Sequence, residues 1–411
     1  MTDMRLHRFV LLAAAALAAS AAAKEPYRLR SEQATIAWSQ IFASDHDDWI
    51  NDIIALKDGY LAVGFLNRTD GDGGSDWRAL AAKVAGDGKV LWTKEYGAGG
   101  GIDAFWSARE TADGLMFGGF SSRVGPGGIN AYFAATDSRG LLRKENAYGT
   151  PGYDRITGLA ETPTGFIGAG HAEGRDGRDV LLIGVDSEGV ETWRRVFAEA
   201  GSNGALYIEP AGDGNYIVSG GTAPAGDADM LVLKVDASGN EIWRRVIGEP
   251  RTDDVNHGLV VLADGRIVAA GYTNSWGEGE RDFMAAVLSP SGDLLSLSTI
   301  GGRGDDRLIS AEADAEGRIF FWTIGHTASA GAGGSDVLVG RLEADGGFAD
   351  GVILIGGEKD DNGTAILPLG DDLLVGGYST GLGQGAQDAF IARLRGLDLR
   401  PHAAFKAARQ R

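Results

Sequence analysis

No cysteine occurs among the 411 residues. That excludes disulfide staples, a thiol nucleophile, thiolate zinc ligation and an acylated lipoprotein cysteine. Positive charge is also scarce: 38 Lys and Arg stand against 57 Asp and Glu, a formal net charge of −19. A phosphate-binding surface needs a surplus of cations, so nucleic acid is not an expected partner. Beyond residue 23 no apolar run approaches the length of a membrane span. Neither a His-Glu-x-x-His pair nor a Walker loop is present. No helical period is sustained outside the two chain ends.

The first 23 residues are the one strongly apolar stretch. Arg5 and Arg8 precede the run from Phe9 to Ala19, and Ala19-Ser-Ala21 or Ala21-Ala-Ala23 supplies small residues for a signal peptidase. The alternative, an anchor, needs ~20 apolar residues. The expectation is therefore a cleaved signal peptide over 1–23, a lead-in over 24–34, and a mature chain in the periplasm or the medium.

Glycine, in contrast, is abundant at 65 residues, and it is periodic. Aliphatic or aromatic runs end at Gly64, Gly119, Gly170, Gly220, Gly271, Gly325 and Gly377, spaced 55, 51, 50, 51, 54 and 52 residues apart. Each of the seven copies parses into four short strands bounded by Gly and Asp. In the first they are Ile50 to Leu56, Tyr60 to Leu66, Trp77 to Val84 and Val90 to Tyr96. Four strands per ~50 residues, seven times over, predict an all-β chain: a seven-bladed β-propeller over 35–395 with four antiparallel strands per blade. The seventh copy stops after its third strand, while Thr35-Ile-Ala-Trp38-Ser-Gln-Ile-Phe42 matches the fourth-strand segment Glu241-Ile-Trp243-Arg-Arg-Val-Ile247. Residues 35–42 are thus expected to complete the last blade and close the ring, hiding otherwise unpaired edges. The basic tail 396–411 reads as a short helix after Pro401 or as a loose end.

The unit Lys234-Val-Asp236-Ala-Ser-Gly239-Asn-Glu-Ile-Trp243, echoed from Val185-Asp186 to Trp193, resembles the repeats of bacterial exported, quinoprotein-like propellers. The resemblance implies a seven-bladed scaffold and no particular activity. The quinone-binding members often carry a cysteine pair, which this chain lacks, so no cofactor is expected from that side.

Two rings of acidic residues follow the repeat. The first holds Asp48, Asp103, Asp154, Asn203, Asp254, Asp306 and Asp361, at the start of each innermost strand. It reads either as a collar for a cation or, preferably, as side chains accepting backbone N–H groups of the entering turn. The second, Asp76, Asn130, Asp179, Asp229, Asp282, Asp336 and Asp388, precedes the third strands and is read as turn chemistry. The loop with Asp70, Asp72 and Asp76 has alternating carboxylates of the kind calcium favours, but Ala81 stands where an EF-hand needs glutamate. Calcium is therefore the one candidate ion, with a solvated turn as the default.

Function in a repeat protein is better sought where copies disagree. After the strand-two glycine stand Phe65, Phe120, His171, Gly221, Tyr272, His326 and Tyr378. His171, His326, Tyr272 and Tyr378 are candidate ligand-binding or acid–base groups. His257, at the start of the fifth inner strand, and Trp276, in a glycine-rich loop, join them. The leading expectation is a monomeric binding scaffold for a protein, peptide or glycan. The alternative is an enzyme, a polysaccharide lyase or hydrolase, with its site at the channel mouth. Convergence of at least three of His171, His257, Tyr272, His326 and Tyr378 in one pocket, with a perturbed histidine, favours the enzyme; their spread around the rim counts against it.

Overall fold

A computed structural model describes residues 28–69, 74–97, 99–198, 200–223, 226–249, 252–313, 320–383 and 385–409. The expected signal peptide, most of the lead-in, and Asp70 and Asp72 lie outside them. Among the described residues there is no helix, and so none long and apolar enough to cross a membrane. The chain forms seven four-stranded antiparallel units with the build of propeller blades. The third is Arg155–Thr162, Gly165–Glu173, Arg178–Asp186 and Glu191–Phe197, paired in that order. The middle strands are buried on both faces, as along Gly114–Ser121, and so read as continuous small and apolar runs rather than alternating ones. The fourth strands lie at the rim and are partly exposed.

In the seventh unit the order is Thr35–Phe42, Asp388–Arg395, Asp372–Ser379, Asp361–Leu369. The N-terminal strand supplies the outer member, antiparallel, from Thr35 opposite Arg395 to Phe42 opposite Ala389. Among the described residues an apolar core joins each pair of neighbouring units, with a second, smaller one between units one and two. One of these cores joins unit seven (Leu374, Ala389, Ile391) to unit one (Ile50, Ile53, Leu80).

The repeat's Asp-x-x-Gly-x-x-x-Trp unit fixes a turn and docks neighbouring blades on each other. Asp236 accepts the N–H groups of Ser238 and Asn240, which fixes the turn, and Gly239 takes φ +76° there. The bare face of Gly239 receives the Trp193 ring from the preceding blade. Trp92 packs likewise on Gly140 and Trp243 on Gly292. Trp38 of the N-terminal strand packs on Gly88 of the first blade, and Gln40 Nε2 donates to the Gly88 carbonyl at 2.9 Å. Where the second blade carries no such tryptophan, the Tyr148 hydroxyl donates to the Gly189 carbonyl at 3.0 Å. A Gly239→Val change forces a β-branched residue into the left-handed region and displaces Trp193. It should cost roughly 3 kcal/mol, read as a lower urea midpoint at unchanged slope.

The periodic strand-two glycines answer to a different contact. Every inner strand carries a β-bulge: the register shifts between Ile50 and Asp52, Phe105 and Ser107, Ile156 and Gly158, and at the equivalent points of the other four. The carbonyl just before each bulge lies against the strand-two glycine, Trp49 against Gly64 and Arg307 against Gly325 for example, where no Cβ fits.

The tail is not helical. After a turn at His402–Phe405, Lys406–Arg409 pairs with Leu294–Gly301 as a fifth strand on the fifth blade. Lys406 Nζ reaches Glu278 at 3.0 Å. The exposed edge of that blade offers the alanine-containing segment a backbone ladder, which outweighs its helical propensity.

Candidate functional site

The inner strands surround a cavity of about 290 Å³ to which all seven contribute. Counted from the first-ring aspartate, two register positions supply much of the wall near the start of the inner strands. One residue on stand Trp49, Arg155, Arg307 and Asn362; three on stand the bulge residues Asn51, Trp106, Thr157, Leu206, His257, Ile309 and Thr364. A bulge leaves one residue without a ladder partner and turns its side chain out of the sheet. Three bulge side chains tie one blade to the next: Asn51 donates to the Phe105 carbonyl (2.9 Å), Thr157 to Ala205 (2.9 Å) and Thr364 to Ile50 (2.5 Å). Trp106, Leu206, His257 and Ile309 are free to vary the lining.

The two ends of the cavity differ in charge. At the end where the inner strands begin, Trp49 stacks on Tyr378 with ring centroids 4.7 Å apart, and its indole N–H donates to Gln387 Oε1 at 2.6 Å. Arg155 lies over the Trp106 ring at 5.1 Å. His257 stacks on Tyr272 at 5.5 Å, and Arg307 and Arg281 flank that tyrosine at 5.4 and 5.5 Å. Asp305 holds both arginines, at 2.5 Å to Arg307 and 3.0 Å to Arg281. Burial, then the Arg307 charge, pushes the His257 and His326 imidazoles down to about 4, so both are neutral at neutral pH. Deeper, the Tyr207 hydroxyl donates to the Ile309 carbonyl at 2.7 Å, linking the fourth blade to the sixth and narrowing the channel.

Beyond that point the wall is acidic. Asp52 and Glu209 lie 3.8 Å from Arg109, with Glu312 nearby. Enclosure in the channel, then repulsion from Glu209 and Asp52, pushes the Glu312 carboxyl up to about 8. The Glu312 side chain is exposed along the channel, so the energy involved is screened. A carboxyl raised in the folded state contributes stability below its unfolded pKa and loses it as pH climbs through the folded value. A Glu312→Gln chain should therefore match the parent below pH ~4.5 and exceed it by on the order of 1 kcal/mol above pH ~8. Thermal melts across that range check it.

Of the six sequence candidates, His257, His326 and Tyr378 line this cavity, and Tyr272 supports His257 from behind. His171 does not line it: it is 2% exposed, stacked on Tyr153 at 5.4 Å, and driven down to about 2 by burial and by Arg155 and Arg178. Trp276 folds back between the fourth and fifth blades, against the core that holds Ile247, Leu288 and Leu297. The sequence reading missed Trp49, Trp106, Arg155 and Arg307. They keep fixed offsets from the first aspartate ring, and tabulating those offsets copy by copy exposes them.

The first ring itself is occupied by the fold. Asp48 accepts from Ser44 Oγ at 2.8 Å and Asn67 N at 2.9 Å, Asp154 from Thr150 N at 2.6 Å, and Asp306 from Gly302 N at 2.8 Å. The second ring does similar work: Asp282 accepts Glu278 N and Asp336 accepts Ala332 N, both at 3.0 Å. Asp76, the described member of the calcium candidate, pairs with Arg78 at 2.6 Å. Gly377-Tyr-Ser379-Thr-Gly381 has the spacing of a nucleophile elbow. Ser379 is fully buried, and its hydroxyl accepts the Gly381 N–H at 3.1 Å in a turn between strands, so no reacting atom reaches it.

The sequence matches no known family profile and no curated protein. Among solved structures, the chain is similar to Sqt1 from Chaetomium thermophilum, at 11% identity and TM-score 0.48, over 89% of this chain and 99% of that one. It is also similar to a member of the DUF4221 family from Bacteroides vulgatus, at 8% identity and TM-score 0.40, over 94% of this chain and 99% of that one.

Proposed function

We propose that this protein is an exported seven-bladed β-propeller, closed between its chain ends, that serves as a monomeric binding scaffold. Its ligand, a glycan, a peptide or a protein segment, enters the aromatic and histidine-bearing mouth of the central channel. The pairing of Thr35–Phe42 with Asp388–Arg395 and the core shared by units seven and one support the closed ring. One observation carries the binding site: Trp49, Arg155, His257, Arg307, His326 and Tyr378, from five blades, face one cavity while the repeat's own polar residues are used up in turns. Flat aromatic faces beside a few convergent polar groups are what small ligand sites are built from. The test is a glycan and peptide array probed with the mature chain and with a Trp49→Ala, Tyr378→Ala double variant. A specific signal lost in the variant supports the mouth; an undiminished signal moves the site elsewhere.

A second reading, an enzyme acting on an extracellular polymer, is favoured by the convergence of His257, His326 and Tyr378 on that same cavity. His257 and His326 are neutral and able to take a proton, and burial holds the Tyr378 hydroxyl protonated. Product release from extracellular polysaccharides by the parent, abolished in His257→Ala and His326→Ala chains of unchanged melting temperature, favours that reading.

A further inference from the structure

Arg155 differs from the other cations of the mouth. Arg307 and Arg281 share Asp305, whereas among the described residues no carboxylate lies within ion-pair distance of Arg155. Its Nε is buried and meets no acceptor. Its neighbours are the Trp106 face, the Tyr153 side chain and the second cation Arg178, which lies over Tyr153 at 5.3 Å. Arg155 is half-buried, with its Nε cut off from solvent, and a guanidinium held there without a counter-charge is a local electrostatic cost. In a chain with a net charge of −19, carboxylates to neutralise it are plentiful; none is placed there.

We propose that the mouth takes the carboxylate of an acidic sugar, a hexuronate at the end of a glycan, with Arg155 gripping the carboxylate and the Trp49–Tyr378 pair stacking on the pyranose ring. This rests on the binding reading above and names its ligand class. The planar fork of arginine matches two carboxylate oxygens at once. Of the three arginines that line the cavity, Arg109 and Arg307 have carboxylate partners and Arg155 has none, so the lining itself offers one unpaired cation, a match for a monoanion. A sugar presents an apolar C–H face, which suits the Trp49–Tyr378 stack, and a rim of hydroxyls. Asn51, Asn362 and the His257 and His326 imidazoles, both donor and acceptor when neutral, suit that rim. The Tyr207–Ile309 bridge narrows the way to the lower half, and Arg109 beyond it is already shared by Asp52 and Glu209, so the acidic end of the ligand stays beside Arg155.

The experiment is titration calorimetry of the mature chain with glucuronate- and galacturonate-terminated trisaccharides. Their neutral glucose and galactose counterparts, glucose 6-phosphate and acetate run alongside. An acidic trisaccharide should bind at least tenfold tighter than its neutral twin, glucose 6-phosphate and acetate. Arg155→Met should remove that preference, Arg155→Lys should restore part of it, and Arg178→Met should leave it intact, with melting curves confirming that each variant folds. Equal binding of acidic and neutral sugars, a preference for the phosphate, full retention of preference in Arg155→Met, or no saccharide binding overturns the proposal. If neutral glycans bind and Trp49→Ala abolishes it, the binding reading stands and the anion assignment alone falls. If acidic glycans bind unaffected by both Trp49→Ala and Arg155→Met, both fall.

Discussion

A chain lacking residues 1–42 should fail to give a stable monomer. Removing Thr35–Phe42 strips the ladder along Asp388–Arg395, seven residue pairs in register. It also removes the Trp38 ring from Gly88 and the buried Phe42 from the core between units seven and one. Backbone bonds of a ladder contribute about 1 kcal/mol each, and the tryptophan and phenylalanine add a few kcal/mol of burial. The total, roughly 8–10 kcal/mol, is comparable with the whole stability of an ordinary domain, about 5–15 kcal/mol. The bared strand, which carries Phe390, Ile391 and Leu394, is also a template for pairing with another chain. The expected result is loss of the cooperative urea transition and aggregation on size exclusion. A synthetic peptide spanning 28–44 supplied during refolding should restore both. A truncated chain that melts like the parent disproves closure by this strand.

The architecture was readable in the sequence because its markers are backbone requirements that recur unchanged. Gly64, Gly119 and their equivalents sit where a bulge carbonyl leaves no room for a side chain, so the period survives every other substitution. Gly239 with Trp193, and Asp236 with the turn it accepts from, repeat for the same reason. The site was legible only in part. Strand alternation predicts which face a side chain takes, but a bulge adds one residue and shifts the parity beyond it. Trp106 and His257 stand at such bulges, and Arg155 and Arg307 stand just before the shift. His171 and His326 occupy the same position of the repeat, yet the first is covered by Tyr153 and the second opens on the channel. The difference lies in the loop of the neighbouring strand, which pattern reading does not weigh. Trp276 folds back on apolar partners of the adjacent blade, a contact that the spacing within one copy does not encode.

The first aspartate ring gives the second large effect. Asp306 is fully buried, and its carboxylate accepts the Gly302 N–H at 2.8 Å, the Ser329 hydroxyl at 2.7 Å and the Thr327 hydroxyl. These three donors belong to the loop entering the sixth blade, the loop leaving its second strand, and the end of that strand. One side chain therefore clamps the whole mouth-side corner. Asp306→Ala leaves all three donors without that acceptor, the Gly302 N–H and the Thr327 hydroxyl buried and the Ser329 hydroxyl half-buried. Each unsatisfied buried donor costs about 1–3 kcal/mol, so roughly 4 kcal/mol is expected after partial relaxation. Asp306→Asn retains one acceptor oxygen, and the protein contains its own precedent. In the fourth blade Asn203 holds the ring position, and its Oδ1 accepts the Thr222 hydroxyl at 2.5 Å. The amide should then cost about 1–2 kcal/mol, well under the alanine. Urea denaturation of the three chains checks the order. A cation collar predicts otherwise: if the carboxylates served an ion, Asn and Ala at 306 would lose stability equally, and the loss would vanish with chelator present. Equal losses abolished by chelator would return the ring to the role of a metal site; a graded, chelator-independent loss fixes it as the hydrogen-bonded frame on which the mouth residues are hung.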